Sequence, residues 1–437
     1  MSDRDYVVNN SSALSDDLPT QGLPATMWTS LLERIANRND VMSQLGGSPQ
    51  NWQIKPQRTA SLSPTFRVSG PDGSVLVKWA TDRVTLGRHV IALPPKRVAF
   101  EADGARFLNN AAPEFTIPLA ADPSAGVLLA GSLLNGKSVQ KRLTAREDMP
   151  GVLAQVAAAI ARSSFLTSDL AIDLDEQRSR IAHFSGNAAL TQLNTELIFD
   201  GPFIDHPTNN WNSPHLDDDV QDLLSDRTLV LALQHLKLDY LTRADCLLHN
   251  NLSLDQVYLY SVDQEQKVII NSSEFVGYGP IEFDYSCFLA GFYLNLFAQD
   301  GLGPGAFRYQ TWMLNEVEIA ANRLLAEFSD LWRTRRTGTA YSELTLARFD
   351  DGEEMALAEY SATRAAAMAG FIGGEIIRRI VGMAGSPEML QIEDEAVRAN
   401  CERRALRFAR QVLLDRANIT GTQDMVAIAE DILRSGR

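Results

Sequence analysis

Residues 245–280 read DCLLHNNLSLDQVYLYSVDQEQKVIINSSEFVGYGP. An apolar run leads into a short polar loop, HNNLS at 249–253. A β-hairpin pattern follows over 256–271, and then a second polar loop, NSSE at 271–274. This stretch constrains the fold most, because from about residue 135 onward it is the only clear β signal. Elsewhere in that half the pattern is helical. Val152, Val156 and Ile160 share one helix face, as do Met313, Val317, Leu324, Phe328 and Leu331. Residues 355–383 form a long Ala-rich helix pattern, and 392–416 form another with mixed charge on one face.

The remaining β-type segments precede residue 135. They are NWQIKPQ (51–57), TFRVSGPDGSVLVKWA (65–80) and GVLLAGSLL (126–134). The middle one predicts a hairpin turning at Gly70-Pro71-Asp72-Gly73. A helix carrying Val98, Glu101, Ala105 and Leu108 lies between these strands, and another is expected near 26–37. Residues 1–22 are polar and patternless, the composition of a disordered tail. The expected fold is α+β and two-lobed, with a β-rich N-lobe over 23–130. A mostly helical C-lobe over 131–437 carries the hairpin region 247–285. The cleft between two such lobes is where a small-molecule ligand would bind.

Net charge is −15. No run of Lys or Arg offsets it, which argues against a nucleic-acid partner. Three widely spaced cysteines, Cys246, Cys287 and Cys401, fit a reducing, cytoplasmic compartment rather than a disulfide framework. The six histidines are scattered and suggest no zinc site. The N-terminal residues lack a signal-peptide pattern. The apolar stretch YSCFLAGFYLNLFA (285–298) is too short to span a bilayer and predicts a buried helix, so no membrane partner is expected.

Phosphoryl transfer in a two-lobed cleft needs a glycine-rich turn, a strand lysine paired with a helix glutamate, an Asp facing the acceptor hydroxyl, and carboxylates for Mg²⁺. Lys78 ends a strand and Glu101 lies on the next helix, the right order for that pair; a surface lysine and an unrelated glutamate would look the same. The turn before that strand, TASLSPTF (59–66), has no glycine and contains Pro64. Asn251 stands two residues after His249, where the Asp is needed, and asparagine cannot accept a proton at neutral pH. Asp255 and Gln256 follow one turn later. His249 itself suits a buttressing role as well as a chemical one. In the second loop Ser272 takes the expected Asp position and only Glu274 is acidic, either a weak metal ligand or a loop glutamate tied to backbone amides. Arg378 and Arg379, in GGEIIRR, could present a guanidinium to the cleft or form helix ion pairs. Trp211, in the Asn- and Pro-rich segment 205–220, could anchor a lid or fill a surface groove.

Together these motifs resemble the 5-methylthioribose kinase family of the aminoglycoside-phosphotransferase-like superfamily. SSFLTSDLA (163–171) is similar to the family's Y-T-S-D-L segment. CLLHNNLSLDQVYL lies where the family has L-I-H-G-D-L-H-T-G-S-I. INSSEFVGYGPIEFD lies where it has I-D-P-E-F-A-F-Y-G-P-M-G-F-D. TELIFDGPFIDHPTNNWNSPHLDDDV resembles its lid region, and GFIGGEIIRRIVGMA its C-terminal helices. The resemblance implies ATP-lobe roles for Lys78 and Glu101, a lid role for Trp211, and substrate contact by Arg378 and Arg379. It also implies a homodimer. The departures concentrate on charge. The family's Gly-Asp is Asn250-Asn251, its following His is Ser253, and its metal Asp-Pro is Ser272-Ser273. Losing an oriented base costs ~10²–10⁴-fold, and weak Mg²⁺ and ATP binding would lower activity further. The expected function is therefore a pseudokinase-type protein binding a sugar- or nucleoside-like molecule. The alternatives are a repurposed enzyme, using Asp255, Glu274 or Asp284, and a weak ATP-dependent sugar kinase.

Overall fold

Alternation of apolar residues in the first β segments builds one twisted sheet. In the computed structural model, which describes residues 39–57, 61–86, 89–131, 137–206, 208–262 and 265–435, that sheet has five antiparallel strands. The expected tail and the helix at 26–37 lie outside the described residues. A short helix, α1 (Asn39–Leu45), precedes the sheet. Its strands are β1 (Gln53–Gln57), β2 (Thr65–Ser69), β3 (Ser74–Trp79), β6 (Ala120–Asp122) and β7 (Val127–Gly131), in the order β1-β2-β3-β7-β6. Pro56 sits on the edge strand β1, where a missing N–H is tolerated. The predicted turn joins β2 to β3, with Ser69 opposite Ser74. Phe66, Val68, Val75, Val77 and Leu129 point to one side and pack with Val41, Leu45 and Trp52.

A further hairpin, β4 (Arg83–Leu86) and β5 (His89–Ala92), intervenes before α2 (Arg97–Ala111). It was not expected from the sequence, although Val84 and Leu86 alternate ahead of Gly87-Arg88 in the manner of a two-residue hairpin. On α2 the expected face of Val98, Glu101, Ala105 and Leu108 is buried, with Val98 against Ala80 and Leu128.

The C-terminal part starts with β8 (Lys137–Ser138) and then follows the helical pattern. Its main helices before the hairpin are α3 (Val152–Leu166), α4 (Ala188–Thr195) and α5 (Arg227–Thr242). Next come β9 (Cys246–Leu248), the hairpin β10 (Val257–Val262) and β11 (Glu265–Ile270), and β12 (Gly277–Gly279). The remaining helices include α6 (Phe283–Ala298), α7 (Ala306–Arg335), α8 (Gly352–Val381) and α9 (Glu395–Leu414). β8 adds to β10, and β9 pairs with β12. All residues of α6 are buried, as its uniformly apolar sequence predicts. α8 and α9 come close at Gly373, where a Cβ would stand 2.6 Å from the Ala409 carbonyl. Among the described residues no helix is long and apolar enough to cross a membrane.

The two parts meet through backbone as well as side chains. The chain leaving α2 pairs with β11: Thr116 N–H donates to the Ile270 carbonyl, and Ile270 N–H to the Glu114 carbonyl, each at 2.8 Å. That contact sets α2, with Glu101, beside the loop that leaves the hairpin.

Candidate functional site

The first polar loop is held from beneath by a carboxylate. Asp284, in the first turn of α6, accepts His249 N–H at 2.7 Å and Asn250 N–H at 2.8 Å. Burial pushes its carboxyl up to about 7, against the pull of those two donors. His249 is fully buried. Its Nδ1 accepts Asn251 N–H at 3.3 Å, which assigns the proton to Nε2, facing the Asn271 carbonyl at 3.0 Å. Burial lowers its pKa to about 3, so the ring is neutral and braces the loop.

Asn250 has φ of 65°, the left-handed conformation that glycine adopts freely and asparagine tolerates. Its side chain is fully engaged. Oδ1 accepts from the Tyr240 hydroxyl at 2.8 Å, and Nδ2 donates to the Phe275 carbonyl at 3.1 Å. Its own carbonyl accepts from Asn194 at 3.0 Å. Asn251 differs: it is half-buried, and its carboxamide has no hydrogen-bond partner among the described residues. Asp255, one turn on, accepts from Ser253.

The second loop faces the N-terminal lobe. Lys78 Nζ lies 2.5 Å from Glu101 Oε1, the expected ion pair. Ser272 Oγ donates to the same carboxylate oxygen at 2.6 Å. Burial opposes the Lys78 charge, but Glu101 and then Glu274 outweigh it and hold the ammonium above its ordinary range. Glu274 is buried, and both of its oxygens are engaged. Oε1 accepts Ser61 Oγ at 2.8 Å and Leu62 N–H at 2.7 Å; Oε2 accepts Ser63 Oγ and Arg97 Nε, each at 3.1 Å. Burial works against its charge, yet Lys78 and Arg97 keep its pKa below the usual carboxylate range. Arg97, fully buried at the start of α2, also donates to the carbonyls of Thr81, Leu93 and Pro94.

The residues expected to touch a substrate are partly occupied. Arg378 forms a two-pronged pair with Glu375 at 2.6 and 2.7 Å. Burial disfavours its charge, but Glu375, and more weakly Asp255, hold the guanidinium above its usual range. Arg379 instead turns to buried Glu388 at 3.1 Å. Trp211 donates its indole N–H to Asp217 at 2.7 Å and packs half-buried on the helical core. The structure thus gathers Lys78, Glu101, Ser272 and Glu274 into one cluster, and the His249–Asn271 bond sets the loop of His249, Asn251 and Asp255 beside it, while Arg378 bonds Glu375 on its own helix. Trp211 and Arg379 form their bonds within the C-terminal part. Arg97 and Ser61–Ser63 were not singled out by sequence reasoning, and nothing local to Pro94-Pro95-Lys96-Arg97 marks Arg97 as a site residue.

The Mg²⁺ that the resemblance implies needs free oxygen ligands. Ser272 is committed to Glu101, and Glu274 to the 61–63 turn and Arg97. This donor set does not fit a magnesium site. Among the described residues there is also no group of three His, Cys, Asp or Glu suited to a metal.

The strand order, the lysine–glutamate pair across β3 and α2, and the two loops flanking a hairpin define a two-lobed, kinase-like α+β protein. Its sequence relatives include methylthioribose kinases. The chain is 27% identical over 422 residues to Methylthioribose kinase of Escherichia coli O45:K1, covering 95% of this chain and 100% of that one. It is 27% identical to Methylthioribose kinase 1 of Oryza sativa subsp. japonica, over 91% of this chain and 93% of the relative. It is 29% identical to the Geobacillus thermodenitrificans enzyme, over 80% and 83%. No family model matches. Solved structures resembling it include a choline/ethanolamine kinase family protein from Mesorhizobium loti, 10% identical with TM-score 0.36 over 92% of this chain and 99% of that one. A putative aminoglycoside phosphotransferase from Ralstonia eutropha is 12% identical with TM-score 0.36, over 89% and 98%. Superpositions this loose add nothing to the strand order.

Proposed function

We propose that this protein binds a methylthioribose-like sugar or nucleoside in its inter-lobe cleft and does not transfer phosphate to it. One observation carries the reading: both oxygens of Glu274, the acidic residue of the second loop, are taken by the chain's own donors. Ser272 likewise serves Glu101, and Asn251 cannot act as a base. The open carboxamide of Asn251, Asp255 and the guanidinium of Arg378 are the groups offered to hydroxyls on the acceptor side. Likeness to methylthioribose kinases supports the ligand class. The reading keeps the expectation of a homodimer, checked by sedimentation. It also keeps a reducing, cytoplasmic setting, in line with three free, buried cysteines.

The test pairs binding with transfer. Thermal shifts are measured with methylthioribose, methylthioadenosine, ATP and Mg²⁺, and labelled phosphate is followed from ATP to methylthioribose. Ligand at a hundred times its Kd adds about 2.7 kcal/mol to stability. The expected result is a shift with the sugar or nucleoside and no transferred label. Mg²⁺-dependent labelling of methylthioribose would refute the proposal.

A further inference from the structure

In a two-lobed phosphotransferase, phosphates lie beneath a turn of the N-terminal sheet and against the strand lysine. Here the turn between β1 and β2 comes down onto that ground itself. Ser61, Leu62 and Ser63 bond to Glu274 through two hydroxyls and one backbone N–H, at 2.8, 3.1 and 2.7 Å respectively for Ser61, Ser63 and Leu62. These residues lead straight into β2 beside the lysine strand: the Trp79 N–H donates to the Pro64 carbonyl at 2.9 Å, and Thr65 stands opposite Lys78. Arg97 clamps the turn from the side, with its guanidinium 3.2 Å from Ser63 Oγ. The Leu62 side chain is buried in an apolar cluster drawn from both lobes. Val84, Leu86 and Leu93 come from the N-terminal part; Leu190, Leu193, Phe275 and Met383 come from the C-terminal part.

We infer that residues 61–63 form an internal plug on the phosphate side of the cleft, latched by Glu274 and seated by Leu62, and that an adenine nucleotide enters only when this plug is released. The inference rests on the two-lobed reading of the cleft but goes beyond the absence of transfer. A cleft missing only its base and metal ligands would bind nucleotide and stall. A plugged cleft binds it poorly until the turn lifts.

The experiment uses the full chain and N-methylanthraniloyl-ATP, with and without Mg²⁺. Leu62→Asp forces a charge into the apolar cluster. Ser61→Ala combined with Ser63→Ala removes two of the three turn donors and leaves the Glu274–Arg97 pair intact, so it serves alone if Leu62→Asp does not fold. Nucleotide should bind Leu62→Asp at least tenfold tighter than the wild type and the double variant by a smaller factor. Hydrogen exchange across 61–63 should quicken in the same order. Equal nucleotide affinity in the wild type and the variants, with 61–63 exchanging faster in the variants, overturns the plug. So does rapid exchange of the Leu62 amide in the wild type. Phosphate transfer by the wild type would refute the proposed function instead, so the two failures are distinguishable.

Discussion

At the 249–253 loop, buried polar groups support a residue that stays open: Asp284, His249 and Asn250 hold the backbone, and Asn251 faces outward. At the 272–274 loop, the polar groups that would meet a ligand meet each other: Ser272 with Glu101, and Glu274 with Arg97 and the 61–63 turn. One loop keeps a receptive geometry with altered chemistry. The other commits its polar groups to structure. Two loops joined by the His249–Asn271 bond thus use their polar groups differently, and stability measurements tell them apart.

The largest effect is expected at the second loop. Arg97→Ala leaves Glu274 buried without its hydrogen-bonded cation and should lower stability by ~3–5 kcal/mol, read from urea unfolding. A cost under about 1 kcal/mol would mean that the lobes are not fastened there. Next comes the first loop. Asp284→Ala orphans two buried N–H groups and should cost roughly 2–4 kcal/mol. Asp284→Asn keeps one acceptor oxygen for these N–H groups and removes the titration. The folded-state carboxyl titrates near 7, above the ordinary carboxylate value of about 4 in the unfolded chain. Between these values the folded state holds a proton that the unfolded state has lost. The contribution of the group is thus full below about pH 4 and fades as pH rises through about 7. Unfolding curves at pH 4.5 and 7.5 should show wild type losing ground to Asp284→Asn as pH rises.

A smaller difference tests the left-handed residue. Asn250→Ala should be less stable than Asn250→Gly by ~1–2 kcal/mol, because both lose the side-chain bonds but only alanine strains the backbone. Equal stabilities would mean the loop relaxes. Smallest of all, Arg333→Ala breaks only an exposed pair with Glu354 and should leave the melting temperature unchanged.

Much of the architecture was legible because periodicity records burial. The uninterrupted apolar run at 285–298 could only be a helix buried on all sides, and alternation around Gly70–Gly73 could only be a hairpin. The β4–β5 hairpin escaped because each strand has four residues, too few for alternation to stand out. Residue types at the site were legible, but their directions were not. Nothing in the chain links Arg97 to Glu274, 177 residues away. Nor does the sequence of Arg378-Arg379 say that one guanidinium faces Glu375 and the other Glu388. Adjacent helix positions point about 100° apart, and the neighbours that decide between them come from elsewhere in the fold.

The hydroxyl of Ser272 acts as a ratchet. It now donates to the glutamate that Lys78 needs. A mutation restoring aspartate would set a second negative charge against Glu101 and withdraw a donor in the same step. Lys78, already paired with Glu101, would then have to serve both carboxylates. On the proposed function, aspartate at 272 alone would not supply phosphate transfer. The Ser272 hydroxyl and the Glu274 carboxylate are parts that the fold leans on, so a change at either is felt first as a change in stability.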